Sequence, residues 1–328
     1  MSQRPCQLAI IMVNYKTAPL VLASLASLKA DLRPQSVEVV VVDNHSQDDS
    51  AEHISRWIKD NQLDDRIHLI AATHNSGFSG GNNIGIQAIA AKNYLLLNSD
   101  TLVRPGAIKY LLEFTKQYPQ AGLISPRLEW SDGKPQESCF RFHTPISEFI
   151  YAAKTGFIAS WFANYVVAQP VLPEAGSYEW TSFACVLIRR EVLDAIGLLD
   201  DGYFMYFEDV DFCRRVQQAG WKVMNVPQAH VVHLRGGSSP LKSRVKLRKR
   251  LPRYFYESRA RYFHKWYGRS GLLAANLLWT LGFVISSVRE LLSASYQANA
   301  AASQWRDIWI NFWQPGKPYI HPDDYDKT

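Results

Sequence analysis

Apolar residues in this chain come in short runs that close on polar ones. Leu8 to Val13 ends at Asn14-Tyr15, Val37 to Val42 ends at Asp43-Asn44, and Tyr94 to Leu97 ends at Asn98-Ser99-Asp100. Such unbroken runs predict strands buried on both faces, as in a parallel sheet. Ile67 to Ala71 reads as a further strand. Helical spacing fills the intervals: Leu20 to Ala30, with Leu20, Ala23, Ser24 and Ser27 marking its turns, then Ala51 to Lys59 and Asn83 to Ala91. Strands alternating with helices predict an α/β fold around a parallel sheet. Ligands of such sheets sit beyond the carboxyl ends of the strands, where Asn14, Asp43 and Asp100 fall.

From Trp130 to Tyr178 the pattern weakens and irregular structure is expected. Phe183 to Ile188 reads as a strand, Arg190 to Ile196 and Val210 to Gln218 as helices, and Val223 to Val226 as a short strand. After Gly236-Gly237 the composition changes. Basic and aromatic residues interleave from Lys242 to His264, and Leu272 to Val288 carries no formal charge. Trp305, Trp309, Phe312 and Trp313 then recur at helical spacing. A division into residues 1–240 and a helical extension, 241–328, is expected.

At 328 residues and 47% hydrophobic the chain can bury a sizeable core. Its net charge of +6 is local: Leu241 to Ser270 holds eleven Lys/Arg and one Glu, so the rest of the chain is acidic. That argues against a nucleic-acid-coating surface and for a basic segment facing an anionic membrane surface. The uncharged run is 17 residues long, at the lower limit of about 17–25 for a span. Asn276, Thr280, Ser286 and Ser287 interrupt it, so an in-plane or buried helix is expected. Cys6, Cys139, Cys185 and Cys213 form no CxxC pair and read as free thiols. Arg4 and Pro5 lead into an apolar run without a cleavage site, so no signal peptide is expected.

The densest chemistry lies at 204–211, Phe-Met-Tyr-Phe-Glu-Asp-Val-Asp, with His233 following Asp209 by 24 positions. Adjacent carboxylates often have separate jobs. With Asp100 at a strand end, this set can build one metal site and one general base. Gly77, Gly80, Gly81 and Gly85 do not form a P-loop, because no Gly-Lys-Ser/Thr follows. They suit either close approach of a ligand or a sharp turn into a helix, with Asn82 and Asn83 at the mouth.

Asn75-Ser-Gly-Phe-Ser-Gly-Gly-Asn-Asn-Ile-Gly85, Val-Asp-Asn at 42–44, Asn-Ser-Asp at 98–100 and the 204–211 segment together resemble family 2 glycosyltransferases, most of all their bacterial rhamnosyltransferase-like branch. The resemblance covers roughly residues 7–240. It implies a GT-A fold: a Rossmann-like mixed, mostly parallel sheet flanked by helices, carrying here the basic, aromatic helical C-terminal extension. It implies an inverting enzyme dependent on Mg²⁺ or Mn²⁺. The donor would be a nucleotide-sugar, dTDP-L-rhamnose first, and the acceptor a lipid-linked glycan. The product would be a cell-surface polysaccharide such as O-antigen or cell wall, made by a peripheral protein at the cytoplasmic face of the inner membrane. No nucleic-acid partner is implied.

Residue by residue, the resemblance makes Asp43 the acceptor of a uracil or thymine imino N–H, the alternative being a helix cap. Asn14 and Tyr15 line the same pocket, and Asn75, Gly77, Gly80, Asn82, Asn83, Ser99 and Asp100 hold the nucleotide-sugar. Asp100 stands at the last position of the family's DxD motif, where Asn98 replaces the first acid. Asp100 and His233 would hold the metal, with His230 the alternative to His233, and Arg235 would contact diphosphate. Asp209 is the implied base and Glu208 its alternative. Asp211 would serve the acceptor, or open a helix and pair with Arg214 or Arg215. Trp180 would stack on a sugar or pack in the core, with Phe183 where many relatives carry Gly. The rival reading is a non-catalytic sugar-nucleotide-binding subunit. The same chemistry with galactofuranose, glucose or N-acetylglucosamine is a further alternative.

Overall fold

The structure is a computed structural model that describes residues 5–32, 36–234, 244–245, 247–293, 295–298 and 300–327. The chain divides into two compact units. The first comprises Met1–Phe140, Pro170–Asp201 and Asp209–Ser239. The second comprises Arg141–Gln169, Gly202–Glu208 and Pro240–Thr328.

The first unit opens with strand β1 (Leu8–Asn14), helix α1 (Ala18–Leu28), β2 (Val37–Asp43), α2 (Ser50–Asp60), β3 (Ile67–Ala71), α3 (Gly77–Ala88) and β4 (Asn93–Leu97). Then come β5 (Thr101–Val103), α4 (Ala107–Gln117), β6 (Ala121–Glu129) and β7 (Cys139–Phe140). The second unit contributes α5 (Pro145–Ala153) and α6 (Gly156–Trp161). The chain returns to the first unit with β8 (Gly176–Tyr178), β9 (Trp180–Thr181), β10 (Cys185–Arg189) and α7 (Arg190–Ile196). Helix α8 (Glu208–Gln218) and β11 (Lys222–His233) follow, and α9 (Arg253–Leu292) and α10 (Gln304–Asp307) belong to the second unit.

Among the described residues, one sheet runs β3-β2-β1-β4-β10-β6-β11-β5, with β8 paired to β11. The β3-β2-β1-β4 block is parallel throughout, and β10 lies antiparallel to both β4 and β6. Leu8, Ile10 and Met12 point to one face of β1 and Ala9 and Ile11 to the other, and all five are fully buried. Burial on both faces is why the run shows no alternation. Each large side chain contributes about 1.5–3 kcal/mol of burial. All four cysteines are buried free thiols.

Three segments differ from the pattern reading. The stretch expected to be irregular holds α5, because its start is a capping box: Ser147 N donates to Thr144 Oγ1 and Thr144 N to Ser147 Oγ, with Pro145 in the first turn. The short strand expected at Val223–Val226 runs on to His233. A register shift between Val226 and His230 absorbs Pro227, which cannot donate to the ladder. The helix expected over Asn83 to Ala91 instead begins at Gly77, so the Gly-rich run forms the first turns of α3. A Cβ on Gly85 would lie 2.4 Å from Ile11 Cγ2 and one on Gly81 2.9 Å from Val13 Cγ1. These glycines let α3 lie flush on β1.

In the second unit α9 breaks at Gly268, whose φ of +69° and ψ of −174° are not helical. Arg259 is buried there, its Nε 2.8 Å from Glu148 Oε2 and its Nη1 2.6 Å from Asn276 Oδ1.

Candidate active site

The carboxyl ends of β1 and β2 come together by register, since Asn14 pairs directly with Asp43. Asn14 Nδ2 donates to Asp43 Oδ1 at 2.6 Å and lies 3.1 Å from Ser46 Oγ. Ser46 Oγ donates to Asp43 Oδ1 at 2.5 Å and Ser46 N to Asp43 Oδ2 at 3.2 Å. Lys16 N donates to Ser46 Oγ, and Thr17 N to Asn14 Oδ1. Asp43 is therefore buried and oriented by its own turn and does not cap α2, whose N-cap is Asp49. Its Oδ2 can accept a second donor. Tyr15 is exposed beside this pocket, with the Lys16 ammonium over its ring.

Asn44 links the pocket to α3, donating to Asn75 Oδ1 and Gly77 O, both at 2.9 Å. Gly77 N also donates to Asn75 Oδ1. Gly80 packs against Ser76, its would-be Cβ 2.5 Å from that side chain's Cβ. Asn82 is buried and donates to Phe78 O within the helix. Asn83 clamps Leu199: its Nδ2 donates to Leu199 O at 2.9 Å and its Oδ1 accepts from Leu199 N at 3.1 Å. The Asn83 amide thereby answers both backbone groups of Leu199.

The second cluster is set by the β5–β11 ladder, which pairs His233 with Thr101. That register puts His233 Nε2 3.5 Å from Asp100 Oδ1, and Leu234 N donates to Asp100 O. Asp100 is 1% exposed. His233 Nδ1 is buried with no hydrogen-bond partner among the described residues. Gln136 Nε2 donates to His233 O at 2.7 Å and fixes the strand end. Ser99 is buried and accepts from Thr17 Oγ1 at 3.3 Å. His230 lies three residues earlier, hence on the opposite face of the strand, and its Nδ1 is 3.0 Å from Glu129 Oε2. Each histidine thus faces its own carboxylate, His230 that of Glu129 and His233 that of Asp100. Arg235 lies outside the described residues.

No group of three or more His, Cys, Asp or Glu is positioned for a metal among the described residues. The Asp100 carboxylate and His233 Nε2 beside it nevertheless offer two ligands that fit a cation taking its remaining ligands from water and substrate phosphates.

The third cluster opens α8. Phe183, just ahead of β10, packs edge-on against Phe212 at 5.9 Å, while Cys185 pairs with Leu97. The start of α8 thus lies at the same sheet end as Asp100. Asp209 Oδ1 accepts from Val210 N at 2.8 Å. Burial pushes the Asp209 carboxyl up to about 7 against the pull of that N–H. Glu208 is buried beside it in sequence. Tyr206 and Phe207, immediately before, are both left-handed, at φ +72° and +67°. Such backbone costs roughly 1–3 kcal/mol per residue. In the second unit it is held by Phe207 packed on His143, Phe255 and Tyr262, and by Tyr206 packed on Tyr254.

Asp211 is fully buried and pairs with Arg215 Nε at 3.1 Å, while Arg215 also donates to Ile196 O and Leu198 O. This is the arrangement of the ion-pair alternative, and it pins the first turn of α8. Trp180 is 9% exposed and stacks on Phe140 at 4.2 Å, which is the core-packing alternative. Ser46, Thr17 and Gln136 were not singled out by motif. Only Ser46 carried a signal, as the third residue after an Asp at a strand end. A separate cleft of about 820 Å³, lined by Cys6, Glu38, Lys92 and Arg189, lies at the opposite end of the strands.

Residues 5–251 match the family described as "Glycosyltransferase like family 2". An N-acetylglucosaminyl-diphospho-decaprenol L-rhamnosyltransferase of Mycobacterium tuberculosis is 28% identical over 247 residues, covering 71% of this chain and 77% of that protein. The dTDP-rhamnosyl transferase RfbF of Shigella flexneri is 25% identical, covering 66% and 67%. A mannosyltransferase of Pyrobaculum calidifontis, solved with GDP-Man and Mn²⁺, superposes with a TM-score of 0.57 at 16% identity, covering 89% of this chain and 77% of that one. The likeness to that structure shows a shared fold.

Proposed function

For a chain that belongs to the family 2 glycosyltransferases, we propose an inverting, metal-dependent transfer of L-rhamnose from dTDP-L-rhamnose to a lipid-linked glycan. The chain is a glycosyltransferase of cell-surface glycan synthesis with rhamnosyltransferase relatives. The rhamnosyl donor and lipid-linked acceptor are supported by the relatives, and the metal dependence by the β5–β11 register that sets His233 beside Asp100.

Asp43, oriented by Ser46 and Asn14, accepts the imino N–H of the thymine ring. Asp100 and His233 hold Mg²⁺ or Mn²⁺, and the bound cation would neutralise charge on the departing diphosphate. Asp209 is the base. Its Oδ1 is occupied by Val210 N, so Oδ2 receives the proton as the acceptor hydroxyl attacks the anomeric carbon and the bond to diphosphate breaks. A carboxyl raised towards neutral pH is a stronger proton acceptor than an ordinary one. Residues 1–240 carry this chemistry and 241–328 hold the protein, as a peripheral protein, at the cytoplasmic membrane face where a lipid-linked acceptor resides.

A panel of nucleotide-sugars, incubated with the purified chain with and without Mn²⁺, tests this reading. Metal-dependent turnover favouring dTDP-L-rhamnose supports it. Preference for another donor overturns the sugar assignment, and metal-independent turnover overturns the metal.

A further inference from the structure

Beyond Gly268, helix α9 shows two unlike faces. Leu272, Ala275, Asn276, Trp279 and Gly282 are buried. A Cβ on Gly282 would lie 2.5 Å from Phe149 O, so this face sits directly against α5. On the other face Leu277, Leu281, Val284, Val288 and Leu291 recur at alternating steps of four and three, and they are between 48% and 87% exposed. That spacing makes one continuous apolar stripe.

Exposed indoles stand on the neighbouring segments. Arg269 donates to Trp313 O, and Trp313 is 77% exposed. Arg289 donates to Lys154 O and Thr155 Oγ1, immediately before α6, whose Trp161 is 72% exposed. Arg269 and Arg289 are themselves exposed, whereas Arg259, of the cations before them, is buried against Glu148 and Arg248, Arg250 and Arg253 are ion-paired. An exposed apolar stripe with indoles and exposed cations in the same unit has the composition of a bilayer interface, where amphipathic rings sit at headgroup depth.

Two other occupants fit less well. Helix α9 is long and apolar enough to cross a bilayer, but 33% of its most apolar window is buried within the protein. Spanning would also carry the Arg259–Glu148 pair, bonded to Asn276 on that buried face, towards hydrocarbon depth. A second copy of the helix would match the four-and-three spacing. Yet the flanking positions Leu278, Thr280, Ile285 and Ser287 hold none of the charges that specify a helix pair in water.

We infer that the Leu277–Leu291 stripe of α9, with Trp161 and Trp313, docks in-plane on an anionic lipid bilayer. The inference rests on the lipid-linked acceptor of the proposed reaction for its purpose, but its test uses no substrate. The full chain is sedimented with vesicles containing roughly one third phosphatidylglycerol and with neutral phosphatidylcholine vesicles. The result expected is binding to the anionic vesicles that weakens with added salt. The paired substitution Leu281→Glu and Val284→Glu should lower partitioning at least about tenfold, and Trp161→Ala with Trp313→Ala, on separate elements, should lower it too. Circular dichroism and thermal melts report whether each variant is folded. Absence of binding, or equal binding by folded stripe variants, overturns the inference. So does retention in membranes after alkaline extraction, which marks a span. Self-association without lipid that the stripe variants abolish, with vesicle binding unchanged, overturns it in favour of a second copy.

Discussion

Replacing Asp209 by Asn separates the cost of the buried carboxyl from its use. Asn keeps the shape and an Oδ1 to accept from Val210 N, but it can neither ionise nor take a proton. Burial raises the Asp209 carboxyl from 3.8 to about 7. At about 1.4 kcal/mol per unit, the ionised form costs the folded state at most about 4 kcal/mol. Asp209 keeps part of its surface in water, and screening there reduces the figure to roughly 2–3 kcal/mol. The sign follows from proton binding. Between about pH 4 and pH 7 the folded protein holds a proton that the unfolded chain has released, so this contribution to stability is full below that window and is lost as pH rises through it. The variant should therefore melt above the wild type at about pH 8, by roughly 4–10 °C, and the two should converge near about pH 4. Transfer should fall by roughly 10²–10⁴-fold, while donor binding is retained. In the wild type, kcat/KM should climb with pH and level off above about 7, as the base loses its proton. Thermal melts across pH, initial rates and donor titration read all three. A variant that melts with or below the wild type at high pH, or that keeps its rate, refutes the reasoning.

Three further outcomes follow from the packing of the first unit. His233→Ala should raise the Mn²⁺ concentration for half-maximal rate by at least about tenfold, whereas His230→Ala, on the other strand face, should leave it unchanged; equal shifts would sink the assignment of His233. Ser46→Ala removes the hydroxyl that bonds Asp43 and should raise the KM for donor by about tenfold with kcat within a few-fold, as expected of uniform binding; a kcat effect alone would contradict it. Gly85→Ala places a Cβ 2.4 Å from Ile11 Cγ2 and should cost about 1–3 kcal/mol in denaturant unfolding; a neutral result would show that α3 does not lie as close to β1.

Elements whose apolar runs were unbroken were legible in the sequence. The first four strands fall within a residue of their observed bounds, and in β1 and β2 burial on both faces leaves no other reading of Leu8–Met12 or Val39–Val42. Helix α5 was hidden because its first turn is polar and its buried positions include Ser147 and Glu148. The reach of β11 was masked by Pro227, since a proline normally ends a strand and the accommodating bulge depends on a partner distant in sequence. The site divides in the same way. Asp43 and Asp100 stood out as acids at strand ends. The bonding of Asn83 could not be read, because Leu199 claims it only once the chain is folded, whereas the pairing of Asp211 with Arg215, one turn on, was among the alternatives the sequence offered. The glycines of α3 left a ligand approach and a turn into a helix both open, and only the distances from Gly85 to Ile11 and from Gly81 to Val13 reveal that these two also serve helix–sheet contact.

The most direct test of the account is transfer from dTDP-L-rhamnose to a lipid-linked acceptor by the full chain, with Mn²⁺ and after chelation, with the product's anomeric configuration read by nuclear magnetic resonance. The account predicts transfer that stops on chelation, returns with metal, and yields a linkage inverted from the donor. Donor binding with no transfer to any lipid-linked acceptor, or a product of retained configuration, would contradict a single displacement with Asp209 as base.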